Sequence, residues 1–144
     1  MLDVAIAITA EAFRGKFDKG GKPYILHCLH VMNTVAPQTE LNRIVGVLHD
    51  LVEDTSYDLE GLYKLGFNHE VVKAVQACTH FNNESYDDYI MRLAGNPNAR
   101  AVKLADLRHN SDITRMKGVR DKDFERLVKY HKAYKFLQDY ADVK

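Results

Sequence analysis

The sequence predicts an all-α fold in one domain, residues 1–144. Three observations carry this. Apolar residues recur at helical spacing through most of the chain, and the strict alternation of a half-buried strand is scarce. Pro23, Pro37 and Pro97 each stand where a helix would begin or end. No repeat, linker or low-complexity tract divides the chain, and a 46% hydrophobic composition over 144 residues can fill one core without disulfides.

Helices are expected over about 3–16, 25–36, 39–54, 58–65, 69–81, 85–94, 98–112 and 122–140. The first contains an apolar run from Val4 to Thr9, closed by Glu11. It is too short to span a membrane and lacks the basic start of a signal peptide, so a soluble cytoplasmic protein is expected. Asp18-Lys19-Gly20-Gly21-Lys22-Pro23 is a loop, rich in residues that turn chains. In the second helix His27 shares an arc with Tyr24, Val31 and Val35 and faces inward, while His30 sits nearer Asn33 and Thr34. Thr39 and Asp58 are N-caps, and Gly66 is a helix stop. Pro97 opens the helix that carries Asp106. The remaining helices rest on periodicity.

Composition removes several function classes. Cys28 and Cys78 have no close pairing motif, which argues against a disulfide framework or a thiolate zinc site. The 20 basic and 20 acidic residues cancel, so no nucleic-acid-coating surface is expected. The balance is uneven, however: residues 1–99 carry a net of −5 and residues 100–144 a net of +5. Solvated helix faces of opposite sign account for this, as does an acidic, metal-holding half facing a basic, phosphate-holding half. Gly-rich nucleotide loops and the serine-hydrolase elbow are absent from the sequence.

Two helices hold the chemistry. With His49 at zero on a helical wheel, Glu53 falls at about 40°, Asp50 at about 100° and Asp54 at about 140°. Leu41, Ile44, Val45, Leu48, Leu51 and Val52 take the opposite arc. An amphipathic helix with its polar face in water gives the same wheel. One His and three carboxylates within six residues also make a hard-metal ligand set with spare acid/base groups. On the Pro97 helix, Asp106, Asn110 and Lys103 lie within about 60° on a cylinder that is otherwise largely apolar. A helix of that kind is buried, and a buried Asp must be paired or bound to a metal. A Lys103–Asp106 salt bridge would satisfy the carboxylate but leave Asn110 unexplained. Adding His27 gives two imidazoles and two carboxylates, which suit Mn, Fe or Zn with positions left for water. His80, His109 and His131 show no coherent partner set in the sequence, although His109, adjacent to Asn110, could help form a pocket wall.

Three ordered motifs resemble the HD-domain phosphohydrolases: Gly21-Lys22-Pro23-Tyr24-Ile25-Leu26-His27, Leu48-His49-Asp50-Leu51-Val52-Glu53-Asp54-Thr55, and Val102-Lys103-Leu104-Ala105-Asp106-Leu107-Arg108-His109-Asn110. Within that family they are most similar to the small RelA/SpoT-type alarmone hydrolases, over about residues 10–137. The resemblance implies an HD-fold helical bundle with a central metal site, a Mn²⁺ cofactor (or another divalent transition metal), and 3′-pyrophosphohydrolysis of ppGpp and pppGpp. It places His27, His49, Asp50 and Asp106 on the metal and makes Glu53 and Asp54 the catalytic acidic pair. Lys19, Lys103, Asn110 and Tyr134 would contact the nucleotide, and Arg108 or Arg115 would add charge against the phosphates. Synthesis is not expected, because a synthetase domain has no room in 144 residues. The chain departs from the family at Asp18, where an Arg that packs on guanine is usual. A carboxylate cannot make that contact, so base selectivity is expected to be looser. A deoxynucleoside triphosphatase, a nucleotidase, an NADPH phosphatase and a non-catalytic nucleotide-binding module stand as alternatives.

Overall fold

The computed structural model describes the backbone of residues 1–143 and the side chains of residues 1–140; Lys144, the end of the expected domain, lies outside them. The fold is all-α. Its helices are α1 (Leu2–Ala12), α2 (Ile25–Thr34), α3 (Glu40–Leu48), α4 (Leu51–Asp54), α5 (Leu59–Lys64), α6 (His69–Cys78), α7 (Tyr86–Ala94), α8 (Pro97–Asn110) and α9 (Asp121–Val143), with a 3₁₀ turn at Ile113–Arg115 between α8 and α9. No helix among the described residues is long and apolar enough to cross a membrane.

Local chemistry sets most of the boundaries. The side chains of Thr39, Asp58, Asn68 and Ser85 accept the backbone N–H of Asn42, Gly61, Val71 and Asp88, capping α3, α5, α6 and α7. Asn96 caps α8, with Pro97 in its first turn. Gly66 follows α5 at φ +97°, a conformation that costs a side-chain-bearing residue strain.

α3 is the centre of the molecule, packed on α1, α2, α6 and α8. Ile44, Val45, Val47 and Leu48 are all buried, so this helix is enclosed on most sides. Its contact with α2 is close at Gly46, where a Cβ would meet the Met32 backbone at 3.1 Å. The core continues through Leu51, Leu62, Leu93, Leu107 and Leu137, drawn from α4, α5, α7, α8 and α9. One expectation needs correction. Residues 39–54 do not form one helix: the chain breaks at His49 and Asp50, and Asp50 stands at φ −99°, ψ −2°. Consecutive residues of a regular helix diverge by about 100°, yet His49 Nε2 and Asp50 Oδ2 come within 3.0 Å of each other.

Candidate metal centre and active site

Four side chains from three parts of the chain meet between α2, α3 and α8. α2 supplies His27, the α3–α4 break supplies His49 and Asp50, and α8 supplies Asp106. His27, His49 and Asp106 are buried, at 1%, 2% and 3% exposure, so the alternative of a water-facing polar arc does not hold at His49. His27 Nε2 lies 2.9 Å from Asp106 Oδ1 and 3.7 Å from Asp50 Oδ2; His49 Nε2 lies 3.0 Å from Asp50 Oδ2 and 3.3 Å from Asp106 Oδ1. Ligands about 2.1 Å from a shared ion stand about 3.0–3.4 Å apart at octahedral or tetrahedral angles. The four residues therefore fit one divalent ion.

Three of the four side chains are held from behind. His49 Nδ1 lies 2.6 Å from the Gly46 carbonyl, which can only accept, so Nδ1 donates and Nε2 faces the cluster. The Tyr24 hydroxyl donates to Asp50 Oδ2 at 2.6 Å. Asp106 accepts from Lys103 Nζ at 2.8 Å and from Asn110 Nδ2 at 3.0 Å. That resolves the pattern on α8: Lys103 pairs with Asp106, and Asn110 braces its other oxygen.

The charge balance of the cluster suits a cation. Burial alone would lower the His49 pKa, but the Asp50 and Asp106 carboxylates outweigh it and hold the imidazole well above its usual value. Burial alone would raise the Asp106 pKa, but Lys103 and then His49 hold it well below the carboxylate range. A proton on His49 thus supplies the positive charge that the two carboxylates require.

Glu53 and Asp54 stand beside Asp50, with carboxylate oxygens of all three within 4.8 Å of one another. Glu53 Oε1 accepts the His80 backbone N–H at 2.7 Å. Burial, then the charges of Asp50 and Glu53, raise the Asp54 pKa to about 6. The folded pKa lies above the ordinary value, so protonated Asp54 favours folding below pH 4 and this contribution is lost as pH rises through 6. Asp54→Asn is therefore expected to stabilise the metal-free protein at pH 8 and leave it unchanged at pH 4. Discounted for solvent screening of this exposed group, the gain is about 1 kcal/mol, or roughly 3 °C in Tm. Thermal unfolding in chelator at both pH values checks it; a loss of stability at pH 8 contradicts it.

A cleft of about 880 Å³ adjoins the cluster. Tyr24 and Asn110 belong to both, lining the cleft while bonding Asp50 and Asp106. The cleft walls carry Lys19, Arg115, Lys117, Arg120, Lys122 and Arg126 against Asp18, Asp112 and Asp123, with Phe17, Met116 and Tyr130 as apolar surface. Cations crowd there: burial and then Arg126 lower the Lys19 pKa. Asp18, in the loop before α2, accepts from Arg115 Nη2 at 3.1 Å and from the Lys22 N–H at 2.9 Å. Arg115 also donates to the His109 carbonyl at 2.9 Å, so it ties the loop to the end of α8.

No family model matches the chain. Individual proteins do. A GTP pyrophosphokinase of Streptomyces coelicolor is 30% identical over 120 residues, covering 76% of this chain and 14% of that protein. A guanosine-3′,5′-bis(diphosphate) 3′-pyrophosphohydrolase of Haemophilus influenzae is 29% identical over 117 residues, covering 72% of this chain and 17% of that protein. The chain is related to the RelA/SpoT-type alarmone enzymes. It spans about a sixth of the length of these curated relatives. A solved structure, described as a metazoan ortholog of SpoT that hydrolyzes ppGpp and plays a role in starvation responses, superposes with a TM-score of 0.76. Identity there is 22%, over 92% of this chain and 82% of that one, so the fold is shared.

Other residues implied by the RelA/SpoT resemblance fall in different places. Lys19 lines the cleft, but Lys103 stands behind Asp106 and is not among the lining residues. Tyr134 also lies outside the lining; its hydroxyl accepts from Arg108 at 2.8 Å, and Tyr130, one turn earlier on α9, lines the cleft instead. Arg108 is exposed and engaged with Tyr134, so of the two arginines only Arg115 reaches the cleft. Sequence reasoning missed Tyr24 as a brace for Asp50, the basic group from Lys117 to Arg126, and His109. The net +5 of the C-terminal third signalled the basic group. Adjacency to Asn110 pointed to His109 only as pocket wall; nothing signalled its pairing with His27, which lies on a different helix.

Proposed function

We propose that this chain is a Mn²⁺-dependent 3′-pyrophosphohydrolase of guanosine 3′,5′-bis(diphosphate), ppGpp, and of its triphosphate form, releasing pyrophosphate. The supporting observation is a two-His, two-Asp cluster with single-ion spacing beside a cleft dominated by cations. His27, His49, Asp50 and Asp106 would hold the ion, which when bound lowers the pKa of a coordinated water and polarises a phosphoryl oxygen.

The remaining roles belong to the chain's own side chains. Asp54, with a pKa near neutrality and next to Asp50, accepts the proton of the attacking water at its carboxylate. Glu53, anchored on the His80 N–H, orients that water. Lys19, Arg126 and their neighbours bind the phosphates, and an anion relieves their mutual repulsion. Asn110 keeps Asp106 aimed at the cluster. The flat walls at Phe17 and Tyr130 receive the base by stacking. Asp18, bound to Arg115, offers no stacking surface itself, in keeping with looser base selectivity. A panel of ppGpp, dGTP and NADPH with Mn²⁺ tests the reading. Turnover of ppGpp ahead of the others is expected; brisk turnover of dGTP with ppGpp inert would move the function to a deoxynucleoside triphosphatase.

The loop contact makes a separate prediction. A Cβ on Gly20 would lie 2.3 Å from the Arg115 carbonyl oxygen, a backbone atom that cannot swing away. Gly20→Ala should push the loop off the Ile113–Arg115 turn and weaken the Asp18–Arg115 pair. The expected result is a KM for ppGpp raised roughly tenfold, with kcat much less affected. Gly95→Ala, at the end of α7 and outside the cleft lining, is the control: its Cβ meets only the Arg92 carbonyl oxygen at an ordinary 3.6 Å, and KM should not move.

A further inference from the structure

His109 lies at the end of α8, outside the ligand set, yet its ring meets that of His27. The two Nδ1 atoms are 2.7 Å apart. The ring planes differ by 8° and the centroids are 5.0 Å apart. That separation is the N–N distance plus about one ring's width, so the rings meet edge to edge in nearly one plane. An in-plane N–H···N hydrogen bond requires this arrangement, since the nitrogen lone pair lies in the ring plane. One proton must sit between the two nitrogens: two lone pairs would repel at this distance, and two N–H groups would clash.

We infer that His109 is a positioning residue for the metal centre, accepting the Nδ1 proton of His27 and so directing the His27 Nε2 lone pair at the ion. This rests on the metal-site reading above. The logic is that of a ligating histidine, whose free nitrogen donates its proton to a fixed acceptor that sets tautomer and ring orientation. His49 already follows it through Nδ1 and the Gly46 carbonyl. Among the described residues no carbonyl bonds His27 Nδ1; His109 Nδ1 occupies that place. The acceptor is itself fixed. The His30 ring stacks on His109 with centroids 3.7 Å apart, and Arg115 Nη1 binds the His109 carbonyl at 2.9 Å. Arg115 therefore connects the cleft loop, through one residue, to the back of a metal ligand.

The test uses zinc as a diamagnetic probe, with two variants of the whole chain. His109→Phe keeps the ring against His30 but removes the acceptor. His109→Asn keeps an acceptor oxygen near the Nδ1 position. Zinc affinity by calorimetry is expected to fall about 10- to 100-fold in His109→Phe and to stay within a few-fold of wild type in His109→Asn. In zinc-loaded wild type, a ¹⁵N–¹⁵N scalar coupling across the hydrogen bond should link His27 Nδ1 to His109 Nδ1, with the proton on His27. That readout does not depend on any variant folding. Wild-type zinc affinity in His109→Phe, or tight zinc binding without the coupling, would overturn the inference alone. Wild type that takes up no zinc would overturn the metal-site reading and this inference with it.

Discussion

Asp106→Asn is expected to remove metal binding and at least about 10³ of the turnover, and to destabilise the fold as well. The carboxylate meets His27, His49, Asn110 and Lys103 at 2.8–3.3 Å from a nearly buried position. An amide withdraws a negative ligand from the cluster. It also strands the Lys103 ammonium, which burial would discharge and Asp106 keeps charged. Breaking one side of a buried pair costs about 3–5 kcal/mol. The two losses can be separated. Lys103→Met in the Asp106→Asn background removes the stranded charge, so most of the stability should return while metal stays off. Thermal unfolding and bound metal per chain measure this. If metal binding returned together with stability, Asp106 would be a structural partner of Lys103 and not a ligand.

Glu53→Gln with Asp54→Asn is expected to abolish catalysis and leave the metal in place. Both carboxylates stand next to Asp50 but outside the four-residue cluster. In place of Glu53, a glutamine can still accept the His80 N–H through its amide oxygen, so the shape of the α6–α7 connection is preserved. Neither amide accepts a proton at neutral pH. The loss of a positioned base typically costs about 10²–10⁴ in rate. The comparison is kcat and metal content for wild type and double variant. A near-normal kcat would make Glu53 and Asp54 solvated surface charges; lost metal would move them into the coordination set.

Much of this arrangement was legible from the sequence because it is local. The caps at Thr39 and Asp58, the stop at Gly66 and the opening of α8 at Pro97 each follow from a few neighbouring residues. The inward arc of His27 and the polar arc of Asp106, Lys103 and Asn110 were visible in helical spacing, since the helices carrying them are regular. The break at His49 was not visible. No proline or glycine marks it, and the residues on either side keep helical spacing. The His27–His109 pair and the Asp18–Arg115 pair were hidden for a related reason. They join distant segments, and no periodicity within one helix encodes what lies across from it. Tyr134 and Tyr130 stand one turn apart on α9, and helical spacing alone does not say that Tyr130 lines the cleft.

The central claim is that the metal cluster and the basic cleft act together on the 3′-diphosphate of a guanosine nucleotide. The most direct measurement is the product pattern when purified chain and Mn²⁺ meet ppGpp, resolved by anion-exchange chromatography after quenching with chelator. GDP and pyrophosphate are expected in equal amounts, with no turnover in chelator. Release of orthophosphate, or an intact ppGpp signal beside hydrolysis of another nucleotide, would contradict it.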